Sequence, residues 1–185
     1  FLQRILLLDN FDSFTYNLEH YLVSLDVEVD VVRNNVEISN FSQYHKIVLS
    51  PGPGLPQNAG NMMKLIEQVN GKIPVLGVCL GMQAIALHLG GEIYNQENVK
   101  HGVMEEIRLF DSELFYELPK EIEVGLYHSW AVRENSNYKV TAISEGDILM
   151  AIENTECKLY GIQFHPESVM TPNGMKLIEN FLRIS

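Results

Sequence analysis

Pro74-Val75-Leu76-Gly77-Val78-Cys79-Leu80-Gly81-Met82-Gln83 is the stretch whose reading decides the fold. A short apolar run ends at Cys79, and a helical pattern begins at once, with Leu80, Ala84, Leu87 and Leu89 on its apolar side. Glycines stand two residues before and two residues after the cysteine, the G-x-S-x-G pattern of a nucleophile elbow with sulfur in place of oxygen. So sharp a strand-to-helix turn leaves no room for neighbouring β-carbons and pushes the central side chain out of the sheet edge. A thiol there faces the N-terminal end of a helix, whose partial positive charge favours the thiolate. Free cysteine is also among the most buried residue types, so the elbow alone leaves a packed structural thiol open.

The same alternation extends to both sides. Arg4-Ile5-Leu6-Leu7-Leu8 reads as a strand buried on both faces, and a helix with Phe14, Leu18, Tyr21, Leu22 and Leu25 on one side follows, capped by Asp12 or Ser13. Glu28–Val32 and Lys46–Ser50 read as further strands, and a helix through Met62, Leu65, Ile66 and Val69 closes at Gly71. Strand–helix alternation predicts a doubly wound α/β sheet. In the second half, Glu105–Leu109, Ile122–Leu126, Tyr138–Ile143, Ile148–Glu153 and Leu159–Phe164 are short strands with few helices between them. They predict an antiparallel extension or a mixed sheet against the core, followed by a last helix through Met175, Leu177, Ile178, Phe181 and Leu182.

At 185 residues the chain suits one domain, residues 1–185, with a full core. A formal net charge of −11 argues against nucleic acid or an anionic membrane as partner, since both need basic patches. Two cysteines, Cys79 and Cys157, with no disulfide framework and no signal peptide predict a reduced cytoplasmic protein. No apolar run approaches the roughly 20 residues of a membrane span.

A cysteine nucleophile needs a base and a group that orients it. Among six histidines, His165 stands out because it ends the apolar strand Leu159–Phe164 and precedes Pro166-Glu167. In an extended segment His165 and Glu167 point to the same side, and Pro166 biases its predecessor towards that conformation. A carboxylate beside an imidazole holds its tautomer and stabilises the imidazolium. The alternative is an exposed ion pair in a loop. If their strands lie parallel, Ser50, Val78 and Phe164 end at one sheet edge, where α/β active sites lie. The Gly52-Pro53-Gly54 loop would join them and lend backbone N–H groups to an oxyanion, with Leu80 supplying a second N–H. No Gly-Lys-Ser/Thr follows that loop, and the cysteines and histidines lack metal-ligand spacing, so neither a nucleotide nor a metal is expected.

Ser50-Pro51-Gly52-Pro53-Gly54, Gly77–Gln83 and His165-Pro166-Glu167 together resemble the class I (triad) glutamine amidotransferases, in the family's order and over essentially the whole chain. The resemblance implies a flavodoxin-like α/β fold: a mixed, mostly parallel central sheet with helices on both faces, plus a smaller antiparallel sheet. It implies that Cys79 attacks the side-chain amide of L-glutamine, forming a γ-glutamyl thioester and releasing ammonia. His165 would serve as base and then acid, with Glu167 orienting it. The N–H groups of Gly52 and Leu80 would form the oxyanion hole. Gly52, Pro53, Gly54, Gln83, Ser129 and Trp130 would hold the glutamine.

The opening Leu8-Asp9-Asn10-Phe11-Asp12-Ser13-Phe14-Thr15-Tyr16-Asn17-Leu18, with His101-Gly102 and Tyr127-His128-Ser129, narrows the resemblance to one branch. It looks like the small subunits that deliver ammonia to a chorismate-using synthase. Anthranilate synthase (tryptophan biosynthesis) is the first expectation and aminodeoxychorismate synthase (folate biosynthesis) the alternative. No cofactor is expected on this small chain, and Mg on the partner synthase. Met82, Val103-Met104-Glu105 and Trp130 depart from the branch's usual residues, outside the triad. The rival readings are a non-catalytic scaffolding subunit or else a stand-alone γ-glutamyl peptidase. The intact Cys79, His165 and Glu167 set speaks against the first, and the opening motif against the second.

Overall fold

The first strand sets up both layers of the molecule. In the computed structural model, which describes residues 2–185, strand β1 (Arg4–Asp9) sends Ile5 and Leu7 to one face of the sheet and Leu6 and Leu8 to the other, all four buried. A continuous apolar run inside a parallel sheet is covered on both sides in this way. Helix α1 (Thr15–Ser24) covers the first face through Leu18 and Leu22. The strands β2 (Glu28–Arg33) and β3 (Lys46–Leu49) flank β1 on either side, both parallel to it. Helix α2 (Met62–Val69) covers the second face with Met62, Leu65, Ile66 and Val69. Burying each of these side chains contributes about 1.5–3 kcal/mol. As expected, α2 ends beside Gly71, whose φ of +76° suits a residue without a β-carbon.

The elbow strand β4 (Val75–Val78) pairs with β3, and helix α3 (Leu80–His88) follows it. Among the described residues the short β5 (Ile93–Asn95) pairs only with β8 (Trp130–Val132), as a separate antiparallel ribbon. The others are β6 (Val103–Leu109), β7 (Glu121–Leu126), β9 (Lys139–Ser144), β10 (Leu149–Asn154) and β11 (Leu159–Ile162). Helix α4 (Gly174–Arg183) closes the first face with Leu177, Ile178 and Phe181. Among the described residues the main sheet has nine strands in the order β2-β1-β3-β4-β11-β10-β9-β6-β7. From β2 to β11 every pairing is parallel, and from β11 to β7 every pairing is antiparallel. The second half is therefore the antiparallel extension that its short strands predict. Among the described residues no helix is long and apolar enough to cross a membrane.

Two local expectations are corrected. Helix α3 is not one-sided, because every residue from Leu80 to Ala86 is buried, whereas Leu87 and Leu89 are half-buried. The helix lies between the main sheet on one side and α2, the 3-10 turn Pro56–Asn58 and the β5–β8 ribbon on the other. Neither Asp12 nor Ser13 is the N-cap of α1, since the helix starts at Thr15 and its N-cap is Phe14, with no side-chain cap hydrogen bond. Asp12 instead accepts the Phe14 N–H at 3.1 Å, while Asp9 accepts the Phe11 N–H and the Thr15 hydroxyl, both at 2.9 Å. These two carboxylates brace the loop before the helix.

Candidate active site

Because β3, β4 and β11 are adjacent and parallel, their C-terminal ends reach one edge together, and Cys79 lies between the other two. The Cys79 N–H donates to the Ile162 carbonyl at 2.7 Å, and its backbone sits at φ 56°, ψ −101°. A non-glycine residue held there stores on the order of 1–3 kcal/mol of strain, which the buried β4 and α3 on either side sustain. The flanking glycines are sterically required. A β-carbon on Gly77 would fall on the Gly81 backbone, and one on Gly81 would lie 2.8–2.9 Å from Leu49. Both cysteines are free thiols.

His165 and Glu167 follow β11, and both are buried. His165 Nδ1 lies 2.6 Å from Glu167 Oε1. A carboxylate oxygen accepts, so Nδ1 carries the proton and Nε2 is left to act. Nε2 is buried without a hydrogen-bond partner of its own. Burial opposes charge on the imidazole, but its interactions with Cys79 and Glu167 outweigh that cost and push its pKa up to about 10. Thiol, imidazole and carboxylate therefore act electrostatically as one unit, and the ion-pair alternative of a solvated loop is excluded by burial.

Gly52 approaches the elbow closely. A β-carbon there would lie 2.6 Å from Asn10 Cβ and 3.0 Å from Leu80 Cδ2. The loop is braced from below, since Ser50 Oγ accepts the Asn10 N–H and the Asn10 amide donates to the Ser50 carbonyl, both at 2.8 Å. Pro53 and Gly54 are exposed, and Gly54 has φ +76°. Leu80 opens α3, so its N–H has no intrahelical acceptor. Gln83, one turn into α3, donates from Nε2 to the Trp130 carbonyl at 3.1 Å. The Ser129 carbonyl accepts the Gln96 N–H at 2.8 Å. Met82 points elsewhere: it is fully buried, and a β-carbon on Gly161 would lie 2.9 Å from it, so that departure belongs to the core.

Sequence reasoning missed three contributors. Gln163 reads as one more residue of an apolar strand, yet it is fully buried, donates from Nε2 to Cys79 Sγ at 3.4 Å and accepts from Gln83 Nε2 at 3.3 Å. The available signal was a polar amide inside an apolar run, because a buried amide needs partners. Phe14, assigned to the apolar side of α1, packs edge-on to His165 with ring centroids 5.0 Å apart. Tyr127 packs on the same imidazole at 4.8 Å, and its carbonyl lies 3.9 Å from Cys79 Sγ.

Two neighbouring groups feel the site. Burial, then the charge of His165, pushes the pKa of His128 down, against its hydrogen bond to the Trp130 carbonyl at 2.9 Å. Asp12 is pushed up by burial, against the Phe14 N–H bond and His165. Among the described residues no group of three His, Cys, Asp or Glu could hold a metal ion.

Comparison with known proteins gives the same picture. The model of the glutamine amidotransferase class-I family matches residues 6–184. Anthranilate synthase component 2 of Lactococcus lactis is 42% identical over 185 residues, covering 96% of this chain and 93% of that protein. The aminodeoxychorismate synthase of Streptomyces griseus is 41% identical over 186 residues, which cover 96% of this chain but 25% of that longer protein. A crystal structure from Thermoplasma acidophilum, of a protein provisionally named as part of a GMP synthase, superposes with a TM-score of 0.91 at 26% identity, covering 100% of this chain and 94% of that one. The chain belongs to the class I glutamine amidotransferases.

Proposed function

We propose that this chain hydrolyses L-glutamine and delivers the ammonia to a chorismate-using synthase partner, anthranilate synthase first. The carrying observation is the buried Glu167–His165 pair, whose free Nε2 belongs to an imidazole that Cys79 biases towards the charged form. In the proposed cycle the proton shared between Cys79 and His165 rests on Nε2 of the imidazole, and the sulfur attacks the carboxamide carbon of glutamine. The negative oxygen that develops is held by the Gly52 and Leu80 N–H groups, where each such donor is worth about 2.7–4 kcal/mol. His165 then protonates the leaving nitrogen, ammonia departs, and a γ-glutamyl thioester remains on Cys79. Water, deprotonated by His165, cleaves the thioester to glutamate and restores the thiol. Glu167 keeps the proton on Nδ1 throughout. Gln83 and the Ser129-Trp130 backbone, with Gly52, Pro53 and Gly54, would line the glutamine.

The reaction needs no cofactor on this chain, and Mg is expected on the partner. Similarity to component 2 over nearly the full length of both chains supports a separate synthase subunit. The 41% identity to part of an aminodeoxychorismate synthase supports that enzyme as the second reading. Purifying the chain with its synthase and identifying the glutamine-dependent product decides between them. In that complex Cys79→Ala is expected to abolish synthesis from glutamine and to leave synthesis from ammonia intact. Glutamine-dependent turnover at the normal rate in the variant would sink the nucleophile assignment.

A further inference from the structure

We propose that Gln163 is a positioning residue for the nucleophile: its side-chain N–H steadies the Cys79 sulfur and ties it to Gln83 through one directed chain of hydrogen bonds. This rests on Cys79 being the nucleophile. The direction of the chain follows from its far end. The Trp130 carbonyl can only accept, so Gln83 must present its NH2 group to it, at 3.1 Å. The same NH2 lies 3.3 Å from Gln163, which must therefore present its oxygen. That leaves the Gln163 NH2 facing Cys79 Sγ at 3.4 Å. Turning either amide over would set donor against donor or acceptor against acceptor along the chain. Gln163 has no exposure, so no water competes for its N–H.

An amide donor aimed at sulfur favours the thiolate over the thiol, because a sulfur that carries negative charge accepts far better. The chain also couples recognition to reactivity. Gln83 lies where the substrate is expected, and a substrate that engages the Gln83 amide changes what Gln163 holds. Around this corner the other charged or titratable groups are His165 and Glu167 after β11, Tyr127 and His128 before β8, and Asp12 after β1. None of them is altered by a substitution at residue 163.

Gln163→Met keeps the length of the side chain and deletes both polar atoms. Alkylation of Cys79 by iodoacetamide, followed by mass spectrometry across a pH series on the full chain, reads the thiolate directly. The expected result is a profile displaced to higher pH by about one unit, with the same limiting rate at high pH. A purely structural residue would lower the thermal midpoint and leave that profile in place, and such a result in a folded variant overturns the proposal. The wild-type chain provides a second arm that needs no folded variant. The Gln163 side-chain amide resonances should titrate together with Cys79 and stop doing so in Cys79→Ala. Resonances that do not move with the thiol also overturn it. Since labelling reads the sulfur and not turnover, failure of the glutaminase reading would appear separately, as unimpaired glutamine use by Cys79→Ala.

Discussion

At His165 three effects compete, and their balance sets the chemistry. Burial alone would keep the imidazole neutral, yet the interactions with Cys79 and Glu167 carry its pKa to about 10. The raised value means that the proton stays on His165 from below its ordinary range up to about pH 10 and is lost only above that. Removing the sulfur leaves burial opposed by Glu167 alone. In Cys79→Ala, His165 is therefore expected to lose its proton at clearly lower pH, and Glu167→Gln should lower it as well. Imidazole shifts followed by NMR across pH 5–11, a span of about 6 units around the usual histidine range, test this. An unchanged midpoint in Cys79→Ala would mean that the sulfur does not bias the ring. The His165–Glu167 pairing is legible in the sequence, because period two and Pro166 place both side chains on one side. The Phe14 and Tyr127 rings against the imidazole are not, because they come from loops more than 30 residues away in the chain.

The elbow is the element in which stability is exchanged for reactivity. Cys79 sits at φ 56°, ψ −101°, a conformation glycine tolerates and other residues resist. Cys79→Gly is therefore expected to be more stable than Cys79→Ala by about 1 kcal/mol, after glycine's entropic cost, although both lack the nucleophile. Denaturant midpoints of the two variants measure the difference, and equal midpoints would show that the turn carries no strain. The glycines that frame the turn were readable from spacing alone, and Gly77 and Gly81 have the close backbone neighbours that such spacing implies. Helix α3 was harder to read. Its side towards the β5–β8 ribbon is buried by strands three residues long, too short to leave a pattern in the sequence.

Over the whole molecule, the excess of negative charge gathers visibly on the antiparallel half. Glu106 faces Glu123 across the β6–β7 pair, and its pKa is raised by hydrogen bonding and repulsion from Glu121, with Glu123 and Glu145 adding to it. A carboxyl held above its ordinary value destabilises the folded chain at pH 7, and that cost fades as the pH falls through the carboxylate range. Glu106→Gln is expected to raise the thermal midpoint at pH 7 modestly, and to flatten the gain that the parent chain makes at this site on acidification. Because the group is exposed, about 0.5 M salt should erase most of the difference. A midpoint unchanged at low salt would show the repulsion to be already relieved by solvent. The parallel half and its elbow, with the acid–base pair beyond it, could be inferred from local order: apolar runs, glycine spacing and a two-residue offset are properties of neighbours along the chain. Strand order, the aromatic walls around His165 and the amide chain from Trp130 to Cys79 could not. Each joins segments separated by tens of residues, and their meeting depends on which faces pack once the sheet has formed.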